Sequence, residues 1–356
     1  MSVTTNRDQA IGKLNGLIES GRGNLAAAVQ EMQTEFQTRR DIIVKPAALD
    51  FEINGGIHPI IGADRFDLTG FSEGQLLERA AMPRTFASKL QTLGETDLLR
   101  TNLRTLLPRV SGDGVLVRHV GALAKGILSS SYRRMDASPI FEGFVGAAMQ
   151  NGFVPHRGLN TDRVYTASML DTQIYEPRPG EFLVYGVQIK TSDYGAAALE
   201  FNLMMLRIVC NNLAVGMDLV RKVHLGRRFD GESFNGAQVI ELSNKTHQLD
   251  TRTVRSAIQD AVKGSRGYIA ALNEKVNEAA EKNVNLGVEL AGLKKKGIKA
   301  EIVEKVKTMF NSEMPVEVLP AGHTAWRLSN VLSLLAQGEK GDSKLELEEA
   351  AFSAVA

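Results

Sequence analysis

A chain of 356 residues with 43% hydrophobic and 23% charged side chains, a net charge of +1 and one cysteine reads as a soluble globular protein of about two to three structural units. That composition excludes a disordered chain, and the single Cys210 excludes an intrachain disulfide and reads as a small buried hydrophobe. No apolar run approaches the roughly 20 residues needed to span a bilayer, and MSVTTNRDQA lacks the plan of a secretory leader, so the expected location is cytoplasmic, with no membrane partner.

In chain order, residues 1–40 carry two amphipathic stretches, Ile11, Leu14, Leu17 and Ile18, then Leu25, Val29, Met32 and Phe36. Gly21-Arg22-Gly23 between them reads as a turn, which predicts a helical hairpin or arm and a candidate subunit contact. Residues 41–111 predict short extended pieces around Pro46 and Pro59, then helices opening near Ser72 and at Pro83. A central sheet unit is placed at 112–215, with strands through Val117 and Ile127 and a helix starting at Ser138-Pro139. That helix carries Phe141, Phe144, Val145, Ala148 and Met149 at the spacing of one laid on a sheet. Residues 216–338 predict helices at Met217 to Val223, from Thr251 to Val276, at Ile302 to Phe310 and around Trp326, and 339–356 an acidic, frayed tail.

The strongest single feature is Glu181 to Asn212. Leu183, Tyr185, Val187 and Ile189 alternate against Phe182, Val184, Gly186 and Gln188, the period of two that places successive side chains on opposite sheet faces. Thr191 to Gly195 supplies the turn, and the returning arm, Leu199 to Val209, is so apolar that both faces are expected to be covered. Arg207 near its end then needs a partner, and the reading makes it structural first: backbone carbonyls, or an acid such as Glu200 or Asp193. The whole order predicts an α+β fold, a mainly antiparallel sheet with a crossing helix, flanked by N-terminal and C-terminal helical segments.

Charge is uneven despite the near-neutral total. Arg100, Arg104, Arg109, Arg118, Lys125, Arg133 and Arg134 face only Asp113 within their segment, a balance of +6, and the segment from Arg207 to Arg228 carries +4. Brought to one concave face, the two segments would track phosphates; otherwise they are ordinary solvated faces. In SSSYRRMD, Tyr132 offers a stacking ring beside Arg133 and Arg134, the plainer account being an aromatic wedge with a surface ion pair to Asp136. The six histidines lack metal-ligand spacing, and there is no phosphate loop and no nucleophile elbow, so no catalytic residue, metal or cofactor is assigned. Asp171, Glu181 and Lys190 form a nuclease-like pattern that solvent-facing polar residues also explain.

Several of these segments resemble a phage- and plasmid-borne family catalogued as domain of unknown function 932. They are LTGFSEGQLLERAAMPRTFASKL, SYRRMD with the following PIFEGFVGAAMQNG, the turn SDYG, LRIVCNN, and TAWRLSN around Trp326. The resemblance covers roughly residues 65–335, and Tyr194 stands in the turn where many members have histidine. It implies a mobile-element context in a bacterial host. A sheet with a crossing helix and basic flanks is similar in outline to phage single-strand annealing proteins, which need neither metal nor nucleotide and act as assemblies.

The resulting expectation is a DNA-metabolism protein that binds single-stranded nucleic acid, in recombination by strand annealing, and forms a homo-oligomer. Its phosphate contacts are expected from Arg118, Arg133, Arg134, Arg207, Arg221, Lys222, Arg227 and Arg228, with Tyr132 as stacker. The alternatives are an interaction protein, such as an inhibitor of host defence that docks a protein partner, and a metal-dependent nuclease.

Overall fold

The structure, a computed structural model, describes residues 3–112, 114–132, 135–208, 212–222, 239–242, 258–316 and 318–355, with backbone alone at 3–6, 212–222, 239–242 and 266. The chain opens on one continuous helix, α1 (Val3–Thr38), where the sequence reading expected a hairpin. Gly21 and Gly23 do not break it. A Cβ at Gly21 would stand 2.5 Å from the carbonyl oxygen of His156, so this glycine lets the helix lie against a strand. That strand is β8 (Val154–Asn160), whose Gly158 N–H donates to Asn24 Oδ1 at 2.7 Å. The N-terminal segment is therefore a packed layer, with Ala10, Leu14, Leu25 and Met32 buried.

Strands β1 (Arg39–Val44), β2 (Asp50–Ile53), β3 (Ile57–Ile61), β4 (Asp64–Arg65) and β5 (Asp67–Leu68) follow, then helices α2 (Gly70–Arg79), α3 (Arg84–Thr92) and α4 (Thr96–Val110). Thr69, rather than Ser72, caps α2. Its hydroxyl accepts from Ser72 N–H, while Ser72 Oγ accepts from Thr69 N–H, a reciprocal capping box. The helix closes on Ala81 in the left-handed region (φ 50), which costs a residue with a Cβ about 1–2 kcal/mol. β6 (Val115–Val120) and β7 (Leu123–Ser129) pair with each other and complete a five-stranded sheet in the order β14-β1-β6-β7-β5, where β14 is Val239–Leu242. β2, β3 and β4 form a separate three-stranded sheet.

The crossing helix is α5 (Ala137–Gln150), laid on a six-stranded sheet. That sheet runs β13-β12-β11-β9-β8, with β9 at Tyr165–Leu170, β11 at Glu181–Thr191, β12 at Leu199–Arg207 and β13 at Asn212–Lys222. β10 (Tyr175–Arg178) pairs with the start of β11. The expected hairpin is β11 and β12, in register from Leu183 opposite Arg207 to Lys190 opposite Glu200. Both faces are covered, as its composition requires. Leu183, Tyr185, Val187 and Ile189 join Phe141 and Phe144 of α5 in the main core, while Phe182, Val184, Met204 and Leu206 pack under Ala10 and Leu14 of α1.

Residues 217–222 are strand rather than the expected helix. Leu213, Val215 and Met217 also fit a period of two, and a ladder to β12 settles the ambiguity. Helical residues 258–265 (α6) and α7 (Ile269–Glu281) are separated by a tight turn at Arg266–Tyr268, and Ile258, Val262, Ile269, Leu272 and Val276 keep the predicted buried stripe. The helix start expected at Thr251, and the residues through 257, lie outside the described residues. α8 (Leu286–Lys295) is a helix that the sequence pattern does not mark, because Gly287 and Gly292 interrupt it; Asn285 caps its first turn. α9 (Ala300–Phe310) and α10 (Ala325–Gly338) stand where expected. The acidic end is no frayed tail but helix α11 (Gly341–Val355), burying Leu345, Leu347 and Phe352. Its acids answer the sheet: Glu348 takes both terminal nitrogens of Arg157 at 2.7 and 2.6 Å, and Glu349 accepts from Lys190 at 2.5 Å. Among the described residues no helix is long and apolar enough to cross a membrane.

Candidate nucleic-acid groove

Of the described side chains in the basic segments, Arg118 and Arg207 are buried, Arg100 and Lys125 are half-buried, and Arg104 and Arg109 are exposed. Arg118, on β6, is fully buried: Nε and one terminal nitrogen donate to Asp41 at 2.8 Å, and the other donates to the Asp193 carbonyl at 2.8 Å. Arg39 beside it bonds Asp136 and Asp193. These charges tie β1 and β6 of one sheet to the β11–β12 turn of the other and to the start of α5, so Arg118 cannot reach a phosphate. Burial raises the Asp193 carboxyl against the opposing pull of Arg39. Asp136, foreseen as a surface partner of Tyr132's neighbours, belongs to this buried cluster. Two further cations of the segment are held as well. Arg100 grips Asp50 at 3.1 and 2.6 Å, and Lys125 meets Glu35 at 2.7 Å.

Arg207, also expected at a phosphate, is held inside the fold instead. It is 3% exposed, donates to Glu181 at 2.6 and 3.1 Å, and donates to the carbonyls of Val318 and Val316 at 3.2 Å each. The acid is Glu181, across the hairpin, rather than Glu200 or Asp193. Arg221 and Lys222 close β13, the edge strand, opposite Glu200 and Leu199. Arg133, Arg134, Arg227 and Arg228 lie outside the described residues. Arg118 and Arg207 therefore supply no shared basic face.

The nuclease-like pattern also comes apart. Glu181 and Lys190 sit nine positions apart on one strand, about 30 Å at the extended rise, and both have partners. Asp171 is buried beside Gln173 N–H. Among the described residues no group of three or more His, Cys, Asp or Glu could hold a metal ion.

Tyr132 leads to a different site. Its ring is half-buried and lines a cavity of about 510 Å³ with Arg79, Val110, Ser111, Leu128 and Gly195. Gly195 (φ 80) holds a left-handed backbone that strains any residue with a Cβ, and a Cβ there would also push on Leu128 Cδ2 at 2.8 Å. Burial holds the Tyr132 phenol above its ordinary pKa, so it stays protonated. A second cavity of about 480 Å³ continues along α2, lined by Phe71, Arg84, Asp162, Arg163 and Asp342, and the two share Gln75 and Glu78. The Arg163 guanidinium lies 5.6 Å over the Phe71 ring and 3.4 Å from Asp342.

Arg79 is the distinctive group. Its Nε donates to the Ile127 carbonyl at 3.0 Å, burial depresses its pKa against the opposing charge of Glu78, and no carboxylate among the described residues lies within ion-pair distance. Arg84 donates to the Gly70 carbonyl at 2.6 Å and is likewise without an ion pair among the described residues. The groove thus combines three guanidinium groups, two aromatic rings and three acids. Of these only Tyr132 stood among the expected contacts. Arg79, Arg84 and Arg163 are isolated cations in sequence, two of them directly after an acid, and no basic run marks them. No family model, curated protein or solved structure matches the chain.

Proposed function

We propose that the chain binds single-stranded nucleic acid in the groove along α2. The observation that carries this reading is Arg79, a desolvated guanidinium without a carboxylate partner among the described residues, placed beside the Tyr132 ring. A half-buried cation in that state is stabilised by an anion, and a ring at the same cavity offers a stacking face to a base. Arg84 and Arg163 extend the track past Phe71, while Arg133 and Arg134 follow Tyr132 in the chain. Strand annealing, self-assembly and a phage or plasmid setting are the form of this activity that the resemblance to domain of unknown function 932 supports.

Anisotropy of a labelled oligonucleotide across a salt series tests it. The affinity should fall with salt by about 0.7 in log–log slope for each phosphate contacted, and Arg84→Ala should lower that slope by about one such step. Arg79→Ala and Tyr132→Ala should each weaken binding at least several-fold. Absence of binding at low salt, or a flat salt dependence, refutes the proposal. The second reading, protein docking, is favoured by Phe86 on α3 and Leu93 at its C-cap, exposed at 43% and 64% and seven positions apart. It requires loss of partner capture on Phe86→Ser with Leu93→Ser and indifference to oligonucleotides.

A further inference from the structure

We infer that Glu78 makes the α2 groove selective among bases, favouring those that present an exocyclic amino group over thymine and uracil. This rests on the nucleic-acid reading above. Gln75 and Glu78 are three positions apart on α2 and form the ridge shared by its two cavities. The Gln75 amide is engaged at both ends, which fixes its orientation: its Nε2 donates to the Tyr194 carbonyl at 2.8 Å and its Oε1 accepts from Ile127 N–H at 2.9 Å. Glu78 is exposed and has no ion pair among the described residues. It is therefore the ridge group open to a ligand.

A carboxylate on the ridge repels phosphate, so the strand's backbone must follow Arg79 on one side and Arg84 with Arg163 on the other, and a base must face Glu78. An ionised carboxylate only accepts hydrogen bonds. Cytosine offers it the N4 amino group, with the N3 acceptor adjacent and available to the Arg79 guanidinium. Thymine and uracil put the O4 acceptor in the same place, leaving two acceptors opposed. The Watson–Crick edge is accessible because the strand is single, and Tyr132 holds the base by its face whatever its identity.

The test compares labelled oligo-dC and oligo-dT of equal length, by anisotropy at low salt, on the full chain and on Glu78→Gln. The wild type should bind oligo-dC about tenfold more tightly, the scale of one good carboxylate–amino contact. Glu78→Gln keeps the shape but adds a donor that thymine O4 can accept. It should bind both oligonucleotides within about twofold of each other, with oligo-dT gaining most. Loss of the negative charge alone would strengthen both equally and keep the ratio, an outcome that overturns the inference. Equal binding of both by the wild type also overturns it while leaving the groove in place. Failure of either to bind overturns the proposed function itself. Should Glu78→Gln fold poorly by circular dichroism, Glu78→Ala takes its place, and persistence of the tenfold ratio in that variant overturns the inference.

Discussion

Replacing Arg207 with alanine removes four hydrogen bonds to described residues, two of them to Glu181, and leaves that carboxylate in a site where it is only about a tenth exposed. Removing one partner of a buried pair typically costs about 3–5 kcal/mol, most of it the uncompensated charge left behind. The unfolding entropy of a 356-residue chain is about 0.75 kcal/mol/K at the usual per-residue value, so a cooperative transition should shift down by about 4–7 °C. Differential scanning fluorimetry reads the shift, and urea titration should move the midpoint with little change of slope. Replacing both residues, Arg207→Met with Glu181→Met, should recover most of the loss, because no charge is then stranded and the exposed Val316 segment can give its carbonyl to water. An Arg207→Ala protein of unchanged stability that had lost oligonucleotide binding would refute this reasoning and return Arg207 to the binding site.

Two further outcomes follow from the α1–β8 contact. Gly12 and Gly16 face open space on α1, so Gly12→Ala and Gly16→Ala should each raise stability by about 0.5–1 kcal/mol, whereas Gly21→Ala drives a methyl into the His156 and Pro155 carbonyls and should lower it by about 1–3 kcal/mol. Chemical denaturation of the three variants separates the two environments. On β8 itself, burial, with Arg157 and Lys344, depresses His156 to about 3, so between the ordinary value near 6.5 and about 3 the unfolded chain binds the additional proton. The stability that His156 contributes is present above 6.5 and is lost as pH falls toward 3, with a slope of at most about 1.4 kcal/mol per pH unit, less because the ring is partly exposed. His156→Gln should flatten the acid limb of stability against pH, and an unchanged limb would show that other groups govern it.

Local pattern alone specifies the elements that have one period and one reading. The β11–β12 hairpin, the α5 stripe, the buried face of α6 and α7 and the α+β order are all written in local alternation, which depends only on the geometry of strand and helix. Arg207 was legible as structural for the same reason: a cation on an apolar strand needs a partner, although only register could supply Glu181. What the tertiary structure decided is every feature that depends on which surfaces meet. Gly21-Arg22-Gly23 looks like a turn until β8 presses against it, Met217 to Lys222 fits helix or strand until β12 offers a ladder, and the acidic end looks solvated until Arg157 and Lys190 stand opposite. Charge was the most misleading signal. A count along the chain cannot tell Arg118, locked between Asp41 and Asp193, from Arg79, open at a cavity, because Coulomb energy and desolvation depend on distance and burial in space rather than on spacing in sequence.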